Sequence, residues 1–408
     1  MIETTPSTHL AVWRRNLFAV TATSFMGYTG FTIAMPFLPM FIAQLGVSDV
    51  GQVALWTGFS LGITPALTAL LSPVWGRLAD RFGRKIMIER SLVSFMLLMA
   101  AMAFVTRAWH VLALRAAQGL FAGYGSISIA MAAESSPRER MPQAIGLVQT
   151  AQRLGPGVGP VIGGLLAAVV GLRGAFLVTA AFYGLGLLLV FFLYDERAAQ
   201  VEPAEPADPH GGGRVTFRSV LAFENFLLLM GVIFGIQFVD RSFGPVLPLY
   251  IEQVGVTHGH VPLVAGILFS IMACTGALGH HFCGRLLTRL SARTIVAGGA
   301  AVAALGCALL GATGALPVMV TACAIVGIGI GAAMTAGYTA AGFVIPSGAH
   351  GTSFGVLNSA SLAGMAVSPM IAGLLGSTGM RAVFFVDVAL MGLLALVVSR
   401  MMVHVVAD

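Results

Sequence analysis

The chain has 408 residues, of which 57% are hydrophobic and only 9% are charged. Soluble domains carry about 25% charged residues, so this composition excludes a soluble protein. The formal net charge of +6 comes from basic residues placed in short segments between apolar runs, and this placement argues against a nucleic-acid partner.

Apolar runs of about 20 residues, long enough to cross a bilayer, recur along almost the whole sequence. They predict an all-α membrane protein. The twelve predicted spans are 17–42, 51–74, 87–106, 110–133, 142–170, 174–194, 224–251, 261–283, 294–314, 316–343, 352–376 and 381–403. The segment after the sixth span is acidic and rich in proline and glycine, which predicts a flexible linker. We therefore expect an N-terminal bundle at 1–194, a linker at 195–218 and a C-terminal bundle at 219–408.

The distribution of lysine and arginine predicts how the spans are oriented in the membrane. With the N-terminus inside, sixteen of these residues lie in inner segments and only Arg107, Arg173 and Arg381 lie at outer ends. This asymmetry predicts that both termini are cytoplasmic in an inner or plasma membrane. The first apolar run is too long to be a cleavable signal peptide.

The two halves of the sequence repeat. PFLPMFIAQLGVS at 36–48 matches PVLPLYIEQVGVT at 245–257, and GRLADRFGRK at 76–85 matches GRLLTRLSAR at 284–293, with offsets of 209 and 208 residues. Both copies begin on the same side of the membrane, so the halves form a parallel repeat about an axis along the membrane normal. Substrate sites of transporters built in this way lie near the midplane between the halves.

The fifth span contains small residues that define one face of a helix. Gly155, Gly159 and Gly163 recur in steps of four, so they share a face and allow another backbone to approach closely. Prolines remove backbone donors, and a bilayer tolerates this because neighbouring helices satisfy the freed carbonyls. We expect a closely packed, bent helix. The complete motif is Gly146, Gly155, Pro156, Gly159, Pro160, Gly163 and Gly164.

Three motifs resemble those of the major facilitator superfamily. GRLADRFGRK resembles its loop signature, LALRAAQGLFAG at 112–123 resembles its fourth-helix motif, and the glycine-proline run resembles the antiporter motif of its proton-coupled drug exporters. The resemblance covers essentially the whole chain and implies two pseudo-symmetric six-helix bundles that work by alternating access. It also implies a gate at the loop, formed by Gly76, Asp80, Arg81, Gly83, Arg84 and Glu134.

The acid in this loop suggests a latch. Asp80 lies among the four basic residues of 77–85, and such a cluster can hold neighbouring helices through charge-assisted hydrogen bonds. Glu134, at the inner end of the fourth span, is a candidate partner for the cluster. The alternative is that the basic residues only set topology, which leaves Asp80 unexplained. The second copy has Thr288 in place of Asp80, which predicts a latch in one half only.

Five charged residues are predicted inside the membrane, where such residues are rare and usually functional. They are Arg115, Arg153, Asp240, Arg241 and Asp387. A proton-coupled carrier needs a group that gains and loses a proton. Arginine cannot, whereas a carboxylate that moves between environments can. We therefore predict a proton-coupling set of Asp240, Arg115 and Asp387, with Asp240 as the first candidate.

The sequence also predicts the surroundings of the two acids, Asp240 and Asp387. Adjacent residues on a helix do not face each other, so we expect Asp240 to pair across helices with Arg153 or Arg115 rather than with Arg241. The alternative for Asp240 is a static pair that only locks the bundle. Asp387 lies about six residues from the outer end of its span and is expected to reach the interface.

The first span has no acid, although many cation-exporting relatives carry one there. An anionic or zwitterionic amphiphile is therefore an alternative to a lipophilic cation as the solute. Side chains that are candidates for the substrate cavity, each also explained by ordinary helix packing, are Arg153, Arg241, Tyr28, Gln149, Gln237 and Asn358.

These observations predict a secondary active transporter that exports small amphipathic compounds or drugs in exchange for protons. The alternatives are a proton-coupled sugar, organic-anion or siderophore transporter of the same fold, and a membrane sensor that transports nothing. The expected partners are a small solute, protons and the bilayer, around a monomer without cofactor, metal or nucleic acid. An enzyme is not expected, because the sequence has no metal cluster, nucleophile elbow or phosphate loop.

Overall fold

A computed structural model describes residues 6–137, 140–196, 225–345 and 350–401. These residues form thirteen α-helices and one short 3₁₀ turn, His258–His260. The helices are α1 (Pro6–Ile33), α2 (Leu38–Gln44), α3 (Val50–Phe82), α4 (Arg84–Met102), α5 (Ala108–Leu120), α6 (Tyr124–Glu134), α7 (Met141–Leu193), α8 (Phe226–Gln253), α9 (Val261–Leu287), α10 (Ala292–Ala312), α11 (Leu316–Val344), α12 (His350–Gly376) and α13 (Met380–Met401).

Three irregularities in the helices explain how thirteen helices correspond to the twelve predicted spans. The first span is bent by 49° between α1 and α2. α7 has 53 residues, and Gly171, with φ 74° and ψ 170°, divides it into the predicted fifth and sixth spans. α5 and α6 together make the fourth span. By length and apolarity alone, eight helices in the described part of the chain are able to cross a membrane, or nine with the bent pair.

The break between α5 and α6 is a feature that the sequence analysis missed, since one continuous span was predicted at 110–133. Gly123 adopts a φ of 131°, which favours glycine. Side chains replace the lost backbone bonds: Trp75 Nε1 donates to Leu120 O at 2.8 Å and Arg90 Nη2 donates to Phe121 O at 2.9 Å. The Arg90 guanidinium also lies 3.5 Å from the centroid of the Trp75 ring. The break is therefore stabilised by α3 and α4, as a broken helix in a membrane requires.

The glycine face of the fifth span packs as predicted. Gly155, Gly159 and Gly163 all lie against the backbone of α1. The helix runs through Pro156 and Pro160 without a non-helical residue, and Gly171 is the position within α7 with non-helical torsions.

The packing of the two halves follows the repeat seen in the sequence. A Cβ atom added to Gly155 would lie 2.7 Å from Thr29 N in α1. The residues 209 positions further on make the same contact, because a Cβ atom added to Gly364 would lie 3.3 Å from Phe238 N in α8. α7 on α1 and α12 on α8 are therefore equivalent pairs, which confirms the duplicated two-bundle fold.

The contacts between the halves also form two sets that are equivalent under the sequence repeat. A Cβ atom added to Gly164 of α7 would lie 2.8 Å from Leu263 Cα of α9, and one added to Gly373 of α12 would lie 2.5 Å from Ala54 O of α3. Gly373 and Leu263 each follow their counterpart by 209 residues. Backbones meet this closely because small residues face each other there.

These backbone contacts lie at one end of the molecule. α3 and α9 both finish at the end that carries the exposed residues Arg77, Arg81, Arg285 and Arg289, which we call the basic end. The glycine contacts between the halves involve residues 51–62 of α3 and 262–266 of α9, in the N-terminal halves of these helices and nearer the opposite end. The two halves are therefore packed most tightly away from the basic end.

Candidate transport cavity and buried charges

A cavity of about 500 Å³ lies between the halves, on the side nearer the basic end. This volume is within the range of small-molecule sites. α7 of the first half contributes Arg153, while α9 and α11 of the second half contribute the remaining lining residues. These are His280, Met334, Thr335, Tyr338, Thr339 and Gly342. The structure thus places Arg153 where the sequence analysis expected a substrate cavity.

A polar chain crosses the boundary between the halves in this cavity. Arg153 Nη1 lies 3.4 Å from His280 Nε2, and His280 Nδ1 lies 2.6 Å from Thr335 Oγ1. A guanidinium only donates, so Nε2 is the acceptor and the ring proton sits on Nδ1, which donates to Thr335. The sequence analysis missed His280, although an ionisable residue inside the eighth predicted span was a signal for it.

A second cavity, of about 30 Å³, is large enough for one water molecule. Arg115 of α5 and Arg241 of α8 both line it, so each half supplies one arginine. Arg115 is 2% exposed, and its Nη1 donates to Gln118 Oε1 at 3.1 Å. Among the described residues, its Nε and Nη2 atoms have no hydrogen-bond partner.

The expected partner of Asp240 was wrong. Arg241 Nε lies 3.1 Å from Asp240 Oδ2, so the nearest cation is the adjacent residue rather than Arg153 or Arg115. The rule for adjacent helix positions concerns the directions of the Cβ atoms, whereas a long arginine side chain folds back along its own helix. The contact is an ion pair without hydrogen-bond alignment, since Arg241 Nε has no hydrogen-bond partner in the described part of the chain.

The expectation that Asp387 reaches the interface was also wrong. Asp387 is fully buried, because its face of α13 packs against α8. Ser242 Oγ lies 2.7 Å from Asp387 Oδ2 and 2.9 Å from Val239 O. Within the described ranges, Asp387 Oδ1 has no hydrogen-bond partner and no cation forms an ion pair with this carboxyl.

Two of the predicted gate residues, Arg84 and Glu134, meet at the basic end, while the Arg81 guanidinium lies over the ring of its neighbour Phe82. Arg84 Nη1 lies 2.9 Å from Glu134 Oε1, which joins the start of α4 to the end of α6. The backbone N–H of Arg84 donates to Glu196 Oε1 at 2.9 Å, and Gly83 adopts a φ of 93° at the tight turn. The surroundings of Gly76 and the side chain of Asp80 lie outside the described part of the structure, so the role of Asp80 stays a prediction.

The other predicted cavity residues are scattered. Tyr28 lies at the contact between α1 and α7, with its ring centroid 6.3 Å from that of Tyr124. Gln237 Nε2 donates to Ser361 Oγ at 2.9 Å. Gln149 and Asn358 are exposed, and neither is among the residues that line the two cavities described above.

Fold, cavity and buried charges together define a membrane transporter built from a duplicated bundle. The family model described as Major Facilitator Superfamily matches residues 20–362 and 262–405. The protein belongs to this superfamily, so it is a multi-pass membrane transporter of small molecules and not an enzyme. The predictions of family and fold class are confirmed.

Two relatives show which kind of transporter the chain is similar to. The chain is 33% identical to the multi-drug resistance efflux pump PmrA homolog of Lactococcus lactis over 278 residues, which cover 67% of this chain and 66% of the relative. It is 32% identical to the multidrug resistance protein MdtG of Yersinia enterocolitica over 284 residues, covering 70% and 68%. The alignments therefore span about two thirds of each relative's own length.

Solved structures show the same fold. A bacterial homolog of the human lysosomal transporter Spinster, in an inward-facing and occupied conformation, superposes with a TM-score of 0.78 at 18% identity, covering 94% of this chain and 96% of that one. The human organic anion transporter MFSD10 gives a TM-score of 0.62 at 18% identity, covering 95% and 99%.

Proposed function

We propose that this protein exports small amphipathic compounds, including drugs, in exchange for protons. The observation that carries the proposal is the cavity of about 500 Å³ at the boundary between the two repeated halves. The multidrug names of the relatives support drugs as solutes. They do not favour sugar, organic-anion or siderophore transport, or a sensor that transports nothing.

The proposal also covers the membrane, the oligomeric state and the domain boundaries of the transporter. It is a monomer in the inner or plasma membrane, with cytoplasmic termini, and its bundles at 1–194 and 219–408 are joined by a linker at 195–218. Residues 197–224, which hold most of that linker, lie outside the described part of the chain. With the basic end in the cytoplasm, the glycine contacts close the outer side and the cavity faces inward.

Asp240 is the proposed proton carrier. It forms an ion pair with Arg241, and Arg241 shares the small cavity with Arg115 of the other half. A proton on Asp240 cancels the charge that holds Arg241, so protonation changes the balance between the two arginines across the boundary. This links the charge of one carboxyl to the relative position of the halves, as alternating access requires.

Asp387 is the second proposed member of the coupling set. One hydroxyl hydrogen on Ser242 cannot be donated to Val239 O and to Asp387 Oδ2 at once. A protonated Asp387 resolves this, because it donates to Ser242 while Ser242 donates to the backbone. Burial without a cation supports the same neutral form.

The test is transport into proteoliposomes under an imposed pH gradient, with cationic, neutral and anionic amphiphiles. We expect gradient-driven movement for part of this panel. Asp240→Asn is expected to abolish that movement but to leave counterflow intact. The matched control is Glu252→Gln, which removes a carboxylate from the far end of the same helix, where it contacts His258.

Two results would overturn the proposal. One is solute exchange that never responds to the pH gradient, which excludes proton coupling. The other is gradient-driven transport by Asp240→Asn at the rate of the parent, which leaves Asp240 as a static element of the bundle.

A further inference from the structure

The large cavity contains a positive charge without a matching negative one. Its lining residues include Arg153 but no aspartate or glutamate. In the described part of the chain, no carboxylate lies within ion-pair distance of Arg153, and its nearest polar contact is the neutral ring of His280. Asp240 of α8 is already paired with Arg241.

An arginine that has no carboxylate partner favours the binding of an anionic group. Arginine has five N–H donors in a planar fork that matches a carboxylate or phosphonate, and Arg153 uses one of them toward His280. Thr335 Oγ1 accepts from His280 Nδ1, so its own hydrogen is able to donate to a solute, whereas Thr339 Oγ1 donates to the backbone carbonyl of Thr335. Arg153 is exposed at the cavity surface, so its remaining donors are accessible to a solute.

We propose that the cavity binds its solute through an acidic group, held by the Arg153 guanidinium together with the hydroxyl of Thr335 in α11. The preferred solutes are then drug-like amphiphiles with a carboxylate, phosphonate or sulfonate and an apolar body, so the protein stays a drug exporter and is distinct from a transporter of organic-anion metabolites. This inference rests on the proposed function, since it names the solute class of the same cavity.

His280 is a positioning residue in this site. Its Nε2 accepts from Arg153 across the boundary between the halves, while its Nδ1–H is held by Thr335. The ring therefore keeps the guanidinium over the cavity, and the remaining donors of Arg153 point to the solute. A glutamine at this position is also able to accept from Arg153, whereas leucine is not.

The test uses three probes with one aromatic body: 1-naphthylacetate, 1-naphthylacetamide and 1-naphthylethylammonium. Binding to the purified full-length protein is measured by equilibrium dialysis at neutral pH. We expect the acid to bind about tenfold to a hundredfold more tightly than the amide or the ammonium, the range that a hydrogen bond to a charged group gives.

Substitutions test which residues produce the preference for the acid over the amide and the ammonium. Arg153→Gln is expected to remove it and Arg153→Lys to retain part of it, because lysine keeps the charge without the fork. Arg140→Gln, at the N-cap of the same helix, is the matched control. His280→Leu is expected to lower the ratio of acid to amide binding and His280→Gln to restore it, while His281→Leu leaves it unchanged. A merely structural defect lowers the binding of all three probes equally.

The proposal is overturned if the parent binds the amide or the ammonium as tightly as the acid, or binds none of the three. It is also overturned if Arg153→Gln keeps the acid preference. The ratio in the parent needs no variant, so a variant that fails to fold does not remove the test. Proton-driven transport of cations without acid preference would refute this inference alone, and acid preference without proton coupling would refute the exchange mechanism alone.

Discussion

The two halves of the molecule share a framework but not their charges. Helix contacts recur at an offset of 209 residues, as Gly155 with Thr29 and Gly364 with Phe238 show. The positions equivalent to four of the charges within the predicted spans are uncharged: Ala324 for Arg115, Leu362 for Arg153, Phe31 for Asp240 and Val178 for Asp387. Each half needs small residues to pack its own helices, whereas a solute that lies between the halves needs one set of charges. Duplication therefore explains the packing, and divergence explains the site.

The largest effect is expected where the framework of the first half is tightest. Gly163→Ala places a methyl group against the backbone carbonyl of Ile33, and overpacking of this kind costs about 1–3 kcal/mol or more. The equivalent position in the second half is Ala372, which already carries a methyl group. Thermal unfolding in detergent should show a marked loss of stability for Gly163→Ala.

Gly146→Ala is the control for that substitution, because no heavy atom lies within 4 Å of an added Cβ there in the described structure. Alanine is the better helix former, so Gly146→Ala should be neutral or stabilise by up to about 1 kcal/mol. Equal unfolding temperatures for the two variants would contradict the assignment of the close contact to one face of α7.

An intermediate effect is expected at the buried acid of the second half. Ser242→Ala removes the hydrogen-bond partner of Asp387, and an unsatisfied buried group costs about 1–3 kcal/mol. The matched control is Ser359→Ala, since Ser359 is exposed and bonds only within its own turn. If the Ser242 and Ser359 variants unfold alike, the Asp387 carboxyl is satisfied by other groups.

The smallest effect is expected at the basic end of the first half. Arg84 and Glu134 form an ion pair with side chains 24% and 50% exposed, and such pairs contribute about 0.2–1 kcal/mol. The position equivalent to Glu134 is Phe343, so the second half lacks this pair. A double-mutant cycle with Arg84→Gln and Glu134→Gln should give a coupling energy of that size.

The salt dependence of the coupling energy between Arg84 and Glu134 gives a second test of this ion pair. Screening weakens a half-exposed pair, so the coupling energy should fall between low and high ionic strength. A coupling energy that is zero at low salt would mean that the basic residues of this loop set topology without latching the helices.

Local pattern and composition determined the spans, the duplication and the glycine face. Twelve apolar stretches, one repeated offset and glycines in steps of four are properties of short windows, and the structure confirms that Gly155, Gly159 and Gly163 face α1. The fold class followed from these features because a lipid environment restricts the chain to helices whose backbone bonds are satisfied internally.

Only the tertiary structure decided which charges meet. The burial of Asp387 and the contact between Arg153 and His280 depend on how helices distant in sequence are turned toward each other. The pairing of Asp240 with its neighbour Arg241 depends on the conformation of a long side chain, which residue spacing does not determine. The break after α5 likewise depends on Trp75 from another helix. Spacing along one helix defines its faces, but the partner of each face is set by packing across the whole bundle, which no single window of sequence contains.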